Sequence, residues 1–141
     1  MKIKNRNLGF LLSKYLVFLE LLSCGWAPQD LFFDGGPDFI ALKGDRLLRF
    51  KVRYSTKNNK GFLFAAGGEQ AKTFYELAEG CDYLVFVCLL GSEAAGFYVF
   101  PRDSTPKAKT FFHPADGPYP KYREFYGLAA FKGSSGKQGV G

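Results

Sequence analysis

Residues 35–56 read GGPDFIALKGDRLLRFKVRYST, and this stretch decides the fold because its pattern is that of a β-hairpin. Two apolar-rich runs are separated by Gly44 and Asp45, a pair that suits a tight two-residue turn. The turn sets the register, since directly opposed residues of a hairpin share one face. Counting back from the turn along both strands, the pattern predicts that Asp38 lies opposite Lys51.

The second strand of the hairpin, residues 46–55, alternates between polar and apolar side chains without a break. Because successive side chains of a strand point to opposite faces of the sheet, the two sets occupy different faces. The polar set is Arg49, Lys51, Arg53 and Ser55, and the apolar set is Leu48, Phe50, Val52 and Tyr54. We call the three cations, Arg49, Lys51 and Arg53, the basic row. The pattern places this row on the face that carries Asp38.

An acid after proline, a short hairpin and a polar-x-basic pair on the second strand resemble the motif of the PD-(D/E)xK nuclease superfamily, in particular its homing-endonuclease and Holliday-junction-resolvase-like branches. Members hold Mg²⁺ between the Asp and a cross-strand acid or amide, while a Lys two residues further on assists the attacking water. The resemblance spans residues 8–103 and implies catalytic positions at Asp38, Lys51 and Arg53. Two of the three are substituted, because Lys51 replaces the second ligand and Arg53 replaces the Lys.

Family members also place a metal-binding Glu in the first helix, and the position that best fits its distance from Asp38 is Lys14. Glu20 is a poor substitute, since it lies about 120° further round the helix at 100° per residue. The implied metal site has therefore lost up to two ligands and gained cations. A hard divalent cation needs several oxygen ligands, so a cross-strand ion pair of Asp38 with Lys51 is the favoured interpretation over an Mg²⁺ site held by Asp38.

The positive charges predict an anionic partner. The chain of 141 residues has a formal net charge of +6, which favours nucleic acid or an acidic membrane surface. We expect Lys14 to converge with the basic row where the cleft of a nuclease would be, so that these cations bind phosphate directly. A solvated cationic strand face is the alternative, and the sequence leaves both open. The sequence contains no run of about 18 apolar residues, so a membrane-spanning protein is not expected. Of the two anionic partners, nucleic acid is expected and a membrane is not.

Periodicity predicts the remaining elements. A helix over 8–23 has a wide apolar face in which leucines and a tyrosine recur at spacings of three and four, namely Leu8, Leu11, Leu12, Tyr15, Leu16, Leu19 and Leu22. The other predicted elements are strands at 26–33, 38–43, 46–55, 83–90 and 96–102 and a helix at 69–79 that ends at Gly80. The run at 83–90 is apolar throughout, which is typical of a parallel strand buried on both faces.

This order, a helix, three strands, a helix and two strands, is the core order of the restriction-endonuclease-like α/β fold, with a central mixed sheet flanked by helices. Residues 1–131 are expected to form one domain, and 132–141 a flexible tail. The run 119–126 interleaves bases with aromatics and suits either stacking on unpaired nucleotides or a C-terminal helix packed on the core. His113, the only histidine, is interpreted as a loop residue.

The cysteines indicate a reducing compartment. Cys24, Cys81 and Cys88 form no C-x-x-C pair and are too few for a disulfide framework, so we expect free thiols and a cytoplasmic location. A lipoprotein signal ending at Cys24 is disfavoured because Lys14 and Glu20 interrupt its hydrophobic region.

These observations favour a protein that binds nucleic acid, with duplex DNA as the preferred form, and whose PD-(D/E)xK-like catalytic centre is impaired. Whether it is an enzyme is left open. One alternative is an active Mg²⁺-dependent endodeoxyribonuclease in which Asp38 and further oxygen ligands hold the ion. Another is a subunit whose basic face meets an acidic protein. A homodimer is a further expectation from the resemblance, since many relatives are dimers.

Overall fold

A computed structural model describes residues 7–31, 36–67 and 72–117 of the chain. They form α1 (Leu8–Ser23), β1 (Ala27–Asp30), β2 (Phe39–Lys43), β3 (Arg46–Thr56), β4 (Gly61–Ala65), α2 (Phe74–Leu77), β5 (Tyr83–Leu90), β6 (Glu93–Pro101) and β7 (Thr110–Pro114), with a 3₁₀ turn at Arg102–Ser104. Within these residues, no helix is long and apolar enough to span a bilayer. The predicted tail at 132–141 and the run at 119–126 lie outside the described residues.

The main sheet has the order β1-β2-β3-β5-β6, so the basic strand β3 is central. β3 and β5 pair in parallel, and the other three neighbouring pairs are antiparallel. The parallel pairing confirms what the unbroken apolar run of β5 predicted. A parallel pair needs a crossover connection, and here β4 and α2 supply it.

The main sheet is buried on both faces, which gives the domain two cores. On one face, α1 packs on a cluster that includes Val17, Leu21, Phe39, Phe50, Val52 and Val85. On the other face, α2 and a two-stranded sheet of β4 and β7 cover a cluster that includes Phe62, Phe64, Phe74, Leu84 and Phe86. Stacked rings join the layers of this second core, since the Phe64 and Phe86 centroids are 4.5 Å apart.

The hairpin register is the one predicted from the turn. Lys43 pairs with Arg46 and Phe39 pairs with Phe50, so the next residue pair outward is Asp38 and Lys51. The alternation of β3 is also confirmed, because its apolar set packs towards α1. The basic row therefore lies on the other face of the sheet, which α2, β4 and β7 cover over β5.

The buried face of α1 differs from the predicted one. Its bounds are as predicted, but four of the seven expected core positions are exposed: Leu8 by 80%, Tyr15 by 44%, Leu19 by 62% and Leu22 by 55%. The fully buried positions are Ser13, Lys14, Val17 and Leu21. The helix is apolar around most of its circumference, so spacing alone does not choose the face that packs.

The crossover between β3 and β5 is the second correction. The predicted helix over 69–79 is replaced by the single turn of α2, which begins after Thr73. Thr73 and Glu76 form a capping box, in which the Glu76 carboxylate accepts the Thr73 backbone N–H at 2.8 Å. Residues 68–71 are outside the described part. The strands β4 and β7 were not predicted, because each is short and pairs with a segment distant in the sequence.

His113 is a strand residue and not a loop residue. It lies in β7, opposite Phe62 of β4, and it is almost fully buried. Its Nδ1 and the hydroxyl oxygen of Tyr98 form a hydrogen bond of 2.6 Å. This bond ties the small sheet to β6, so His113 stabilises the cover of the second core.

The pairing of β4 with β7 leaves no room for a side chain at Gly61. Its φ is +145°, and a Cβ there would lie 2.0 Å from the His113 carbonyl oxygen. We expect Gly61→Ala to lower the free energy of unfolding by more than about 2 kcal/mol, because backbone strain adds to a clash with backbone. Gly91→Ala is the control, since Gly91 has a φ of +61° but open space around it and should cost about 1 kcal/mol. Urea unfolding of both variants measures the difference, and equal losses would refute the close approach.

Candidate nucleic-acid interface

Asp38 is a buried carboxylate at the start of the hairpin, with 5% of its surface exposed. Its backbone N–H donates to the Phe50 carbonyl at 2.8 Å. Its side-chain Oδ2 accepts the backbone N–H of Val52, also at 2.8 Å. A buried backbone donor that lacks a partner is costly, so this carboxylate stabilises β3 where β2 no longer pairs with it.

The three members of the basic row differ in burial. Arg53 is the innermost, and burial lowers the pKa of its guanidinium, while the nearby Asp38 carboxylate acts in the opposite direction. Lys51 is partly buried and lies opposite Asp38 in the register. Arg49 is the outermost, with half of its side chain exposed. Exposure therefore decreases along the row from Arg49 to Arg53, and Asp38 lies opposite the middle cation.

Arg49 has an acidic partner that the sequence did not reveal. Asp82 Oδ2 accepts the Arg49 backbone N–H at 2.7 Å and its Nε–H at 3.3 Å. Asp82 comes immediately before β5, and β5 lies beside β3 with Phe50 next to Tyr83. An acid just before a buried strand is a weak sequence signal for this contact, because only the parallel register of β3 and β5 brings Asp82 to Arg49.

Cys81 completes this neighbourhood. Burial raises the pKa of its thiol, the Lys51 ammonium lowers it, and the Asp38 carboxylate raises it. Charges at both positions thus act on the buried sulfur of Cys81, the residue before Asp82. The thiol is free and buried.

Lys14 does not lie with the basic row. Its Nζ forms a buried ion pair with Asp30 Oδ1 at 2.6 Å, and the Tyr15 hydroxyl donates to the other oxygen of Asp30 at 3.2 Å. Asp30 is opposite Phe39, which packs towards α1, so the pair lies on the α1 face of the sheet. The expected convergence of Lys14 with the basic row is therefore replaced by an ion pair on the opposite face.

The donor set around Asp38 does not fit a divalent cation. Across residues 7–31, 36–67 and 72–117, no group of three or more His, Cys, Asp and Glu side chains is placed to hold a metal ion. One oxygen of Asp38 already accepts the Val52 N–H, and the opposed position carries an ammonium. Mg²⁺ requires oxygen ligands in near-octahedral geometry, and cations in those positions repel it.

The sequence matches no protein-family model and no curated protein. The structure, however, is similar to that of a bacterial homing endonuclease, with a TM-score of 0.57 and 16% identity over 88% of this chain and 90% of that chain. It is also aligned with a Holliday junction resolvase from Archaeoglobus fulgidus, an archaeal hyperthermophile, at a TM-score of 0.46 and 19% identity over 72% of this chain and 81% of that chain.

The first of these similarities shows the fold. The chain has the restriction-endonuclease-like α/β fold that the hairpin and the order of elements predicted. Asp38, Lys51 and Arg53 lie at the hairpin of β2 and β3 in this fold.

The structural role of Asp38 can be tested by substitution. We expect Asp38→Ala to lower the free energy of unfolding by about 2–4 kcal/mol, because it leaves a buried N–H without an acceptor and Arg53 without its counter-charge. Asp38→Asn keeps an acceptor oxygen and should cost less. Urea unfolding ranks the two variants. If both are as stable as the wild type, the carboxylate does not hold the hairpin.

Proposed function

We propose that this protein binds duplex DNA through the basic row and does not cleave it. The observation that carries the proposal is the hairpin register, which sets Lys51 opposite Asp38 and Arg53 beside it. In the resembling nucleases these positions hold a metal ligand and a catalytic lysine. Here the same positions carry positive charge, so the anion that would otherwise be bound through a metal can be bound by the side chains.

The exposed end of the row suits exchange of partners. The Arg49 and Asp82 side chains keep 50% and 31% of their surface exposed. An ion pair in contact with water contributes at most about 1 kcal/mol, so a phosphate can replace the Asp82 carboxylate at little cost. Arg49 then presents a planar set of donors that matches phosphate oxygens.

The geometry of a strand suits a nucleic-acid backbone. Alternate residues of β3 lie about 6.6 Å apart along one face, which gives a line of cations and not a single charge. Such contacts read phosphates and carry no base information, so sequence preference should be weak. The similarity to a homing endonuclease supports nucleic acid as the anion, and we take duplex DNA as the form.

Loss of cleavage follows from the same residues. A guanidinium stays protonated at any physiological pH and cannot take a proton from water as a general base. Lys51 contributes a positive charge where a carboxylate or amide oxygen would be needed. We therefore place the protein among catalytically impaired members of this fold. Its three cysteines are all free thiols, which fits a cytoplasmic location.

The first test measures DNA affinity against salt. If about five phosphates are neutralised, log K should fall with log salt at a slope of roughly −4 to −5. The double variant Arg49→Ala with Lys51→Ala should weaken binding to all sequences alike and reduce the slope by about 2. Lys57→Ala with Lys60→Ala is the matched control, because it removes the same charge from exposed lysines beyond the other end of β3. A flat salt response of the wild type would eliminate the proposed function.

The second test addresses catalysis. The wild type should not cleave supercoiled plasmid with Mg²⁺, whereas Lys51→Glu with Arg53→Lys should bind Mg²⁺ measurably by calorimetry. Opposed residues have Cβ atoms about 5 Å apart, so carboxylates at both positions can share one ion. Lys14 is left unchanged, because a carboxylate there would face the buried Asp30. Efficient wild-type cleavage that Asp38→Ala abolishes would overturn the impaired centre.

A further inference from the structure

A second group of cations lies on an aromatic ring near the basic row. The guanidinium carbon of Arg102 is 3.7 Å from the ring centroid of Tyr75, and Lys107 Nζ is 5.1 Å from the same centroid. Tyr75 belongs to α2, Arg102 begins the 3₁₀ turn after β6, and Lys107 lies in the segment before β7. We call Tyr75, Arg102 and Lys107 the tyrosine patch.

An aromatic partner affects a cation differently from a carboxylate. Stacking on the ring orients the guanidinium and leaves its charge uncancelled. The Arg102 Nε is buried without a hydrogen-bond partner among the described residues. Neither Arg102 nor Lys107 forms an ion pair with any carboxylate among the described residues. The patch therefore presents two oriented cations whose charges are not neutralised, which is the arrangement that binds a phosphate group.

The backbone around the patch is anchored. The Phe74 N–H donates to the Ala108 carbonyl at 2.9 Å and the Tyr75 N–H donates to the Pro106 carbonyl at 3.1 Å, on either side of Lys107. On the other side of the patch, the Thr105 hydroxyl donates to the Pro101 carbonyl at 3.0 Å, next to Arg102. Both cations thus extend from fixed main chain, which lowers the entropic cost of binding an anion.

The tyrosine patch adjoins the basic row through Asp82. The Arg102 N–H donates to the Asp82 carbonyl at 2.9 Å, and the Asp82 carboxylate accepts from Arg49. One residue therefore contacts both groups of cations. A polymer of phosphates that lies along the basic row and continues past Asp82 would reach the patch next.

The charges around the patch favour an anion. The segments 72–76 and 102–109 carry the cations Lys72, Arg102, Lys107 and Lys109 against the acids Glu76 and Asp103. The Glu76 carboxylate is engaged with Thr73 in the capping box, and the hydrogen bond from the Thr73 backbone lowers its pKa, with Lys72 and Lys109 contributing in the same direction.

We propose that the tyrosine patch is a second phosphate-binding site, which holds the DNA backbone beyond the segment bound by the basic row. This inference rests on the proposed function, and it states where the bound duplex continues on the protein. The ring of Tyr75 is a positioning group for the two cations and does not itself contact the bases.

The test compares a short duplex with a long one by fluorescence anisotropy. A hairpin duplex of about 4 base pairs, about 14 Å long, matches the distance of about 13 Å between Arg49 and Arg53 and should occupy the basic row alone, whereas a duplex of about 10 base pairs, about 34 Å long, should reach the patch as well. On the long duplex, Arg102→Ala with Lys107→Ala should weaken binding at least about tenfold and reduce the salt slope by about 2. On the short duplex it should change neither quantity. Lys57→Ala with Lys60→Ala serves again as the charge-matched control.

Variants at Tyr75 separate orientation from charge. Tyr75→Leu keeps both cations but removes the ring, and it should weaken binding of the long duplex only. Tyr75→Phe keeps the ring face and should bind like the wild type. Lys107→Ala alone, at an exposed position, should reduce the slope by about 1 even if the Arg102 variant does not fold.

The outcomes distinguish the two proposals. If the wild type binds neither duplex in a salt-dependent way, the proposed function fails. If the wild type binds both, and the Lys107 and Tyr75→Leu variants match it on the long duplex, the tyrosine patch is refuted while the basic row stands. Equal weakening on both duplexes would likewise refute a site beyond the row.

Discussion

The buried carboxylate of Asp38 is the constraint on which the rest of the site depends. A charge with so little exposure needs donors and counter-charges close by, and the Val52 N–H and the Arg53 guanidinium supply them. One oxygen of Asp38 completes the hydrogen bonding of β3, so the acid is part of the hairpin. The cations beside it are then a requirement of its burial, and in the proposed function they also bind the anion.

These two roles explain why the cations of the basic row differ in burial and in their partners. Arg53 is held close to Asp38 and contributes mainly to the interior, whereas Arg49 pairs at the surface with Asp82. The exposed ion pair of Arg49 with Asp82 can be replaced at a small cost in free energy. Separating Arg53 from the buried Asp38 costs more, because it leaves a buried charge without its counter-charge. In the proposed function, phosphates therefore displace the outer contact and leave the buried one in place.

The two faces of the main sheet have taken different roles. The face towards α1 carries a core of aliphatic and aromatic side chains. The buried ion pair of Lys14 with Asp30 lies on this same face. The other face carries the basic row, and α2 with the sheet of β4 and β7 covers its remainder through the second core. Asp82 lies at the boundary of that cover, where it contacts both Arg49 and Arg102. The connection from β3 to β5 thus positions cations as well as completing the parallel pair.

The sequence by itself determined the hairpin, its register and the face of the basic row. These features follow from local rules, since a two-residue turn and a period of two leave one pairing for neighbouring strands. Only the tertiary structure decided which side of α1 is buried, that Lys14 pairs with Asp30, and that His113 lies in a strand. It also brought Asp82 to Arg49 and Tyr75 to Arg102. Each of these contacts joins elements distant in the sequence, so its geometry depends on how whole layers pack, and no local period encodes that.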